Sequence, residues 1–158
     1  MKLYYLIGFI IWAMTVGSCA HTNNKTTHKS KNNIEQKSDQ KVVEMNAAMF
    51  KEKITDYTKN SGNWNYKGNR PVVIDFYATW CGPCRITAPI IDELAREYDG
   101  QIEFYKVDVD KNAELSSAFN IQSIPTFLFI PATGQPHQSV GVMTKSQFEE
   151  IIKQNLLK

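Results

Sequence analysis

The sequence predicts an α/β domain built on one central mixed β-sheet with helices on both faces. Three observations carry that expectation. Strand-like stretches alternate with helical ones along most of the chain, which asks for parallel strand–helix–strand units. The stretch VVIDFY at 72–77 is apolar on both of its faces, as a strand needs to be inside a sheet that is covered on both sides. The turn-rich PATGQP at 131–136 separates two strand-like runs, the mark of a hairpin and so of an antiparallel portion. At 158 residues, the chain has room for one such domain and a short extra segment.

That extra segment is N-terminal. Residues 1–19 read as a targeting signal: Lys2 is followed by an apolar run from Leu3 to Val16, shorter than the roughly 18–20 residues a spanning helix needs. The tetrad Val16-Gly17-Ser18-Cys19 resembles the lipobox of bacterial lipoproteins. In that motif the cysteine is lipidated and becomes the mature N-terminus, which makes Cys19 the expected lipidation site. Cleavage after Ala20, with Ser18 and Ala20 as the small pair, and an uncleaved anchor are the alternatives. All three carry the domain out of the cytoplasm. Residues 20–41 are polar and nearly free of large apolar side chains, so they are expected to form a flexible tether. Its lysines are interleaved with Glu35 and Asp39 and lack an apolar face, which favours a solvated linker over a lipid-binding helix. The folded domain is expected over 42–158.

Within it, 46–57 reads as a helix capped by Asn46, with Phe50, Ile54 and Tyr57 at helical spacing. Residues 58–70 form a loop rich in Gly and Asn, and its Trp64 and Tyr66 are expected to pack it onto the domain. The strand at 72–77 has Val72, Ile74 and Phe76 on one face and Val73 and Tyr77 on the other; its single charge is Asp75. After Cys84, a stripe of Ile86, Ile90, Leu94 and Tyr98, flanked by Ile91 and Ala95, predicts a helix, which Pro89 should kink. A second strand lies in 101–110, a short helix in 112–119, a third strand at 126–130 and a fourth around Gln138. Thr144 and Gln147 match a capping box that opens a last helix with Phe148, Ile151, Ile152 and Leu156 on one face.

Composition excludes more than it names. With 18 basic against 16 acidic residues, a net +2 is too weak for a nucleic-acid surface. Three cysteines are too few for a disulfide framework. The chemistry is concentrated in WCGPC at 80–84, where Cys81 and Cys84 are two residues apart. Thiol–disulfide exchange needs a thiolate to attack and a second thiol close by to displace the resulting mixed disulfide. A CxxC at a helix start provides both, because free backbone N–H groups and the helix dipole favour the first cysteine's anion. Pro83 suits a helix's opening turn and Arg85 adds a positive charge nearby. Cys81 is therefore the expected exposed nucleophile and Cys84 the less accessible resolving thiol. A zinc site and a purely structural disulfide remain as alternatives. The first wants four ligands where this pair supplies two, and the second would close a tiny loop for little entropic gain.

The sequence resembles the thioredoxin family over roughly 42–157. The resemblance is carried by VVIDFYATWCGPC at 72–84, Pro89, KVDVDKN at 106–112, SIPTF at 123–127 and Gly141. It implies the thioredoxin fold and a protein-disulfide reductase that works through a redox-active Cys81–Cys84 pair, with no other cofactor and no metal. It further implies a cis Ile124-Pro125 bond beside that pair. There Pro125 keeps metals and stray donors from the sulfurs, and the Ile124 backbone is free to pair with a client strand. Asp75, six residues before Cys81, matches the family's buried aspartate, a general base toward the resolving thiol whose pKa desolvation should raise. Lys106 matches the lysine beside that aspartate. Trp80, Gly82, Pro83 and Gly141 complete the expected site, with Trp80 supplying flat surface for docking. The chain departs from the common pattern at Tyr77, where many relatives carry tryptophan, at Thr79, often acidic, and in the long 58–70 loop.

Export and the Gly82-Pro83 dipeptide together lead to an expected role. A periplasmic, lipid-anchored monomer reduces disulfides of exported proteins and is recharged by a membrane-embedded electron donor, with no nucleic acid involved. The rivals are a disulfide donor or isomerase, a supplier of reduced thiols for haem attachment, and a docking platform or structural lipoprotein without redox activity.

Overall fold

The computed structural model describes residues 42–59 and 64–158. The targeting segment, the tether, Cys19 and the stretch 60–63 of the loop lie outside the described residues. Strands β1 (Val42–Glu44), β2 (Val72–Tyr77), β3 (Glu103–Asp108), β4 (Thr126–Ile130) and β5 (His137–Val140) form one sheet in the order β1-β3-β2-β4-β5. The β1–β3 and β3–β2 pairs are parallel, whereas β2–β4 and β4–β5 are antiparallel. The mixed sheet is thus the expected one, and β2 lies at its centre. The helices are α1 (Ala47–Lys53), α2 (Gly82–Glu97), α3 (Ala113–Ala118) and α4 (Lys145–Ile151), the last continuing as a π-helical turn over Ile152–Leu156.

Period-two alternation divides the core between the two faces of the sheet. Val72, Ile74 and Phe76 of β2 point to one side with Val107, Leu128 and Ile130, where Phe50 of α1 and Leu115 of α3 meet them. Val73 points to the other side with Phe104, Phe127 and Phe129, under Ile91 and Leu94 of α2 and Phe148 of α4. Phe127 and Phe148 meet edge to face at 4.7 Å, a geometry worth about 0.5–1.5 kcal/mol beyond burial. Trp64 and Tyr66 pack against the first cluster, Trp64 edge-on to Phe119, so the long loop is held onto the domain as expected.

Several local expectations change. Strand β1 was not foreseen: it is three residues long, and its partner Phe104 is distant in sequence. Helix α1 stops at Lys53, well before Tyr57, although Asn46 does cap it by accepting from the Met49 N–H at 2.9 Å. The buried stripe of α2 is Cys84, Thr87, Ile91, Leu94 and Ala95, while Ile86 is exposed. The helix is turned this way because its first buried residue is the second cysteine, and Thr87 can enter the core by donating its hydroxyl to the Cys84 carbonyl at 3.1 Å. Pro89 lies on the exposed side of one uninterrupted helix. The capping box at Thr144 and Gln147 is formed in both directions.

Candidate active site

The site lies at the C-terminal end of β2, where Ala78, Thr79 and Trp80 lead into α2. Cys81 is the N-cap of α2, with Gly82 and Pro83 in the first turn. Cys81 and Cys84 form a disulfide, their Cα atoms 5.3 Å apart. The Cys84 N–H points at the Cys81 sulfur at 3.1 Å. One free donor of the helix terminus therefore faces the atom that must carry negative charge when the pair is reduced. One expectation fails here: Cys81 is 3% exposed and Cys84 4%, so neither sulfur is the accessible one in the oxidised state. The bonded pair forms a small buried cluster with Ala78, against which Tyr77, Val109 and Ile124 pack.

Beneath Cys84 lies Asp75. Alternation along β2 puts its side chain on the α2 face of the sheet, where it is 5% exposed and its Oδ1 accepts no hydrogen bond. Burial pushes its carboxyl from the ordinary 3.8 up to about 7, with the Lys106 charge pulling it partway back. Lys106 stands directly across from Asp75 in the parallel β2–β3 register, and its ammonium lies 5.7 Å from the centre of the Tyr77 ring. Asp75, Tyr77, Cys84, Arg85 and Lys106 line one cavity of about 170 Å³. A buried acidic residue and the second cysteine thus line one small space, together with two cationic residues. The tyrosine that replaces the usual tryptophan is one of its walls.

On the other side of the segment, the Ile124-Pro125 bond is cis. The Pro125 carbonyl accepts from the Gly141 N–H at 2.8 Å. Gly141 has φ 95°, a left-handed conformation that suits glycine and explains that residue here. Trp80 is 67% exposed, and its indole N–H donates to the Asp110 carboxylate at 2.8 Å. Trp80, Val109, Ile121, Gln122, Ser123 and Ile124 line a groove of about 350 Å³. The structure therefore brings together Cys84, Asp75 and Lys106 around one recess and Trp80 and Ile124 around another, with Cys81 bonded to Cys84 and Gly82 and Pro83 on the turn between the two cysteines. Pro125 and Gly141 hold each other through their backbones. Sequence reasoning cited the 106–112 motif yet assigned Asp110 no task; only the fold reveals it as the anchor of the Trp80 ring. Among the described residues, no group of three or more His, Cys, Asp or Glu side chains is placed to hold a metal ion.

Comparison with known proteins agrees with this geometry. The family model described as "Thioredoxin" matches residues 41–154. A thioredoxin of Borreliella burgdorferi is 51% identical over 104 residues, which cover 66% of this chain and 88% of that protein. Thioredoxin 1 of a Nostoc species is 38% identical over 86 residues, covering 54% of this chain and 80% of its own. The crystal structure of a chloroplastic thioredoxin z aligns with a TM-score of 0.61 at 30% identity, covering 72% of this chain and 93% of that one.

Proposed function

The chain belongs to the thioredoxin family and is a thiol–disulfide oxidoreductase acting through a redox-active disulfide; from that premise we propose that it reduces disulfides of exported proteins through a cycle of Cys81 and Cys84. In the reduced domain the Cys81 thiolate attacks one sulfur of the client disulfide. A Cys81–client bond forms, and the other client sulfur leaves as a thiolate that takes a proton from water. Cys84 then gives its proton to the Asp75 carboxylate and attacks the Cys81 sulfur. The Cys81–Cys84 bond forms, and the second client sulfur leaves and is protonated. The client gains two electrons, both from the domain, and two protons, one from water and one that leaves Cys84 by way of Asp75. The helix terminus lowers the cost of the Cys81 anion, and the Lys106 charge limits the rise of the Asp75 pKa, so that the carboxylate form that accepts the proton stays accessible near neutral pH.

The observation that carries this reading is the shared cavity of Asp75 and Cys84. A docking platform has no use for a buried carboxyl that lines the same cavity as the second cysteine, whereas a resolving thiol needs a base near it. The groove beside Trp80 and Ile124 is the place for an extended client segment, and the Gly82-Pro83 dipeptide favours reduction over oxidation. The lipobox-like end at Cys19 and the polar 20–41 stretch support a lipid-anchored domain on the periplasmic side, recharged by a membrane-embedded donor. Insulin reduction tests the chemistry. The wild type with dithiothreitol as electron source should precipitate insulin far faster than dithiothreitol alone, and Cys81→Ser should remove that acceleration. Equal acceleration by the variant sinks the reading.

A further inference from the structure

Glu44, Lys106 and Asp75 stand in one row across three neighbouring strands. Glu44 is opposite Lys106 in the β1–β3 register, and Lys106 is opposite Asp75 in the β2–β3 register. Residues opposite one another on neighbouring strands project to the same face. Here it is the α2 face, because Val42, Phe104 and Val73, two residues before each of the three, are all in the core on that side. The row runs from solvent inward: the Glu44 side chain is half exposed and Asp75 is buried. Lys106 thus has an acidic residue on either side, each one strand spacing, about 4.8 Å, away. Among the described residues it is ion-paired with neither, and its ammonium rests 5.7 Å from the centre of the Tyr77 ring. Glu44 acts at the same place: burial first, and then the Glu44 charge, raise the Tyr77 phenol above its ordinary range. The cation nearest Glu44 is Lys111 at 3.5 Å, which also serves Asp108 at 3.2 Å. One ammonium divided between two acids leaves part of the Glu44 charge to act on Lys106. The other groups facing Asp75 are Tyr77 on its own strand, Cys84 and Arg85 on α2, and the uncharged Phe127 on β4.

We propose that Glu44 is a positioning residue for the resolving step: from the edge strand it draws on Lys106 and keeps that ammonium from closing an ion pair on Asp75. The inference rests on the reductase reading above and deepens it. A base that takes the Cys84 proton near neutral pH must not be tied to a cation, because an opposite charge in contact lowers a carboxyl by about 1–3 units. Paired with Lys106, Asp75 would hold the proton too weakly. With no cation near it, burial alone would push its ionisation higher still. Lys106 shared between two carboxylates gives the intermediate case. The proton balance of the exchange is untouched, since Glu44 neither gives a proton nor takes one.

The test titrates Asp75 in the full chain by the NMR shift of its isotope-labelled carboxyl carbon, assigned as the signal missing from Asp75→Asn. Glu44→Gln, a neutral substitution of equal size at an exposed edge, should lower the Asp75 midpoint by about half a pH unit, since Lys106 is released toward it. In a Lys106→Met background the same substitution should move the midpoint less than half as far, the coupling that a double-mutant cycle measures. The acid limb of the pH profile for client release from the Cys81 mixed disulfide should follow the titration down. A shift in the Lys106→Met background of half the original size or more means that Glu44 acts as a bare charge at a distance, and it overturns the positioning role. So does a midpoint that stays in place or rises in Glu44→Gln, and so does an acid limb that ignores the titration. Insulin reduction by the wild type is read separately. Its failure overturns the reductase reading, and with it the step that Glu44 would serve, whatever the midpoint does.

Discussion

Asp75 illustrates what a single residue contributes here. Its carboxyl is buried on the α2 face with Oδ1 unpartnered, and burial raises its pKa to about 7. Because the folded value lies above the unfolded one, the native state binds the extra proton between about 4 and 7. The stabilisation from that proton is complete at acid pH and is lost as pH rises through about 7. Asp75→Asn, which cannot ionise, should therefore be more stable than the wild type at pH 8, by roughly 2 kcal/mol or more. The gain should vanish near pH 4, as read from urea midpoints at both values. The same variant should slow release of the client from the Cys81 mixed disulfide, since Cys84 loses its base. Asp75 was legible in the sequence as the one charge in an apolar strand. The burial of Cys81 was not, because spacing places a sulfur at the helix tip without saying which way its bond turns it. Asp110 was equally hidden, since its tie to Trp80 joins two loops thirty residues apart.

At the scale of elements, α2 and α4 position the site by packing on one face of the sheet. Lys145 at the start of α4 bonds Glu93 at 2.9 Å and also Glu97, both on α2, so the two helices are fastened to each other as well as to the strands. The cap just before it, Thr144, accepts from the Gln147 N–H while the Gln147 side chain accepts from the Thr144 N–H. Thr144→Ala should lower stability by about 1 kcal/mol. Its redox activity at 25 °C should be unchanged, since α4 is remote from the sulfurs. Denaturant titration with an activity assay checks both halves. The long elements were readable because their signals are local: near-continuous apolar runs for β2 and β4, helical periodicity for α2 and α4, and a capping box for α4. Strand β1 was not, because three residues carry no periodicity and its pairing with β3 is a long-range event. The α2 stripe was read one position off for a related reason. Its apolar residues outnumber the places facing the core, and the sheet, not the helix, decides that Thr87 goes in and Ile86 stays out.

For the whole molecule, the proposed arrangement is a folded reductase held near a membrane by a lipid on Cys19 through a polar tether. Cys19→Ser in the native host should move the protein from the membrane fraction to the soluble one, with insulin reduction by the purified variant intact. Retention in membranes would refute the anchor. The sequence by itself determined the family, the mixed sheet, the redox pair, Asp75, Lys106 and the proline at 125, because each is written in a short motif or a local period. Only the tertiary structure decided which side chains share a space: Asp75 with Cys84, Trp80 with Asp110, and Arg85 with Lys106 on one side of the segment and an uncharged groove on the other. Those neighbours come from different strands, helices and loops, and they meet only because burying both faces of the sheet fixes the register of β2 and the rotation of α2 together.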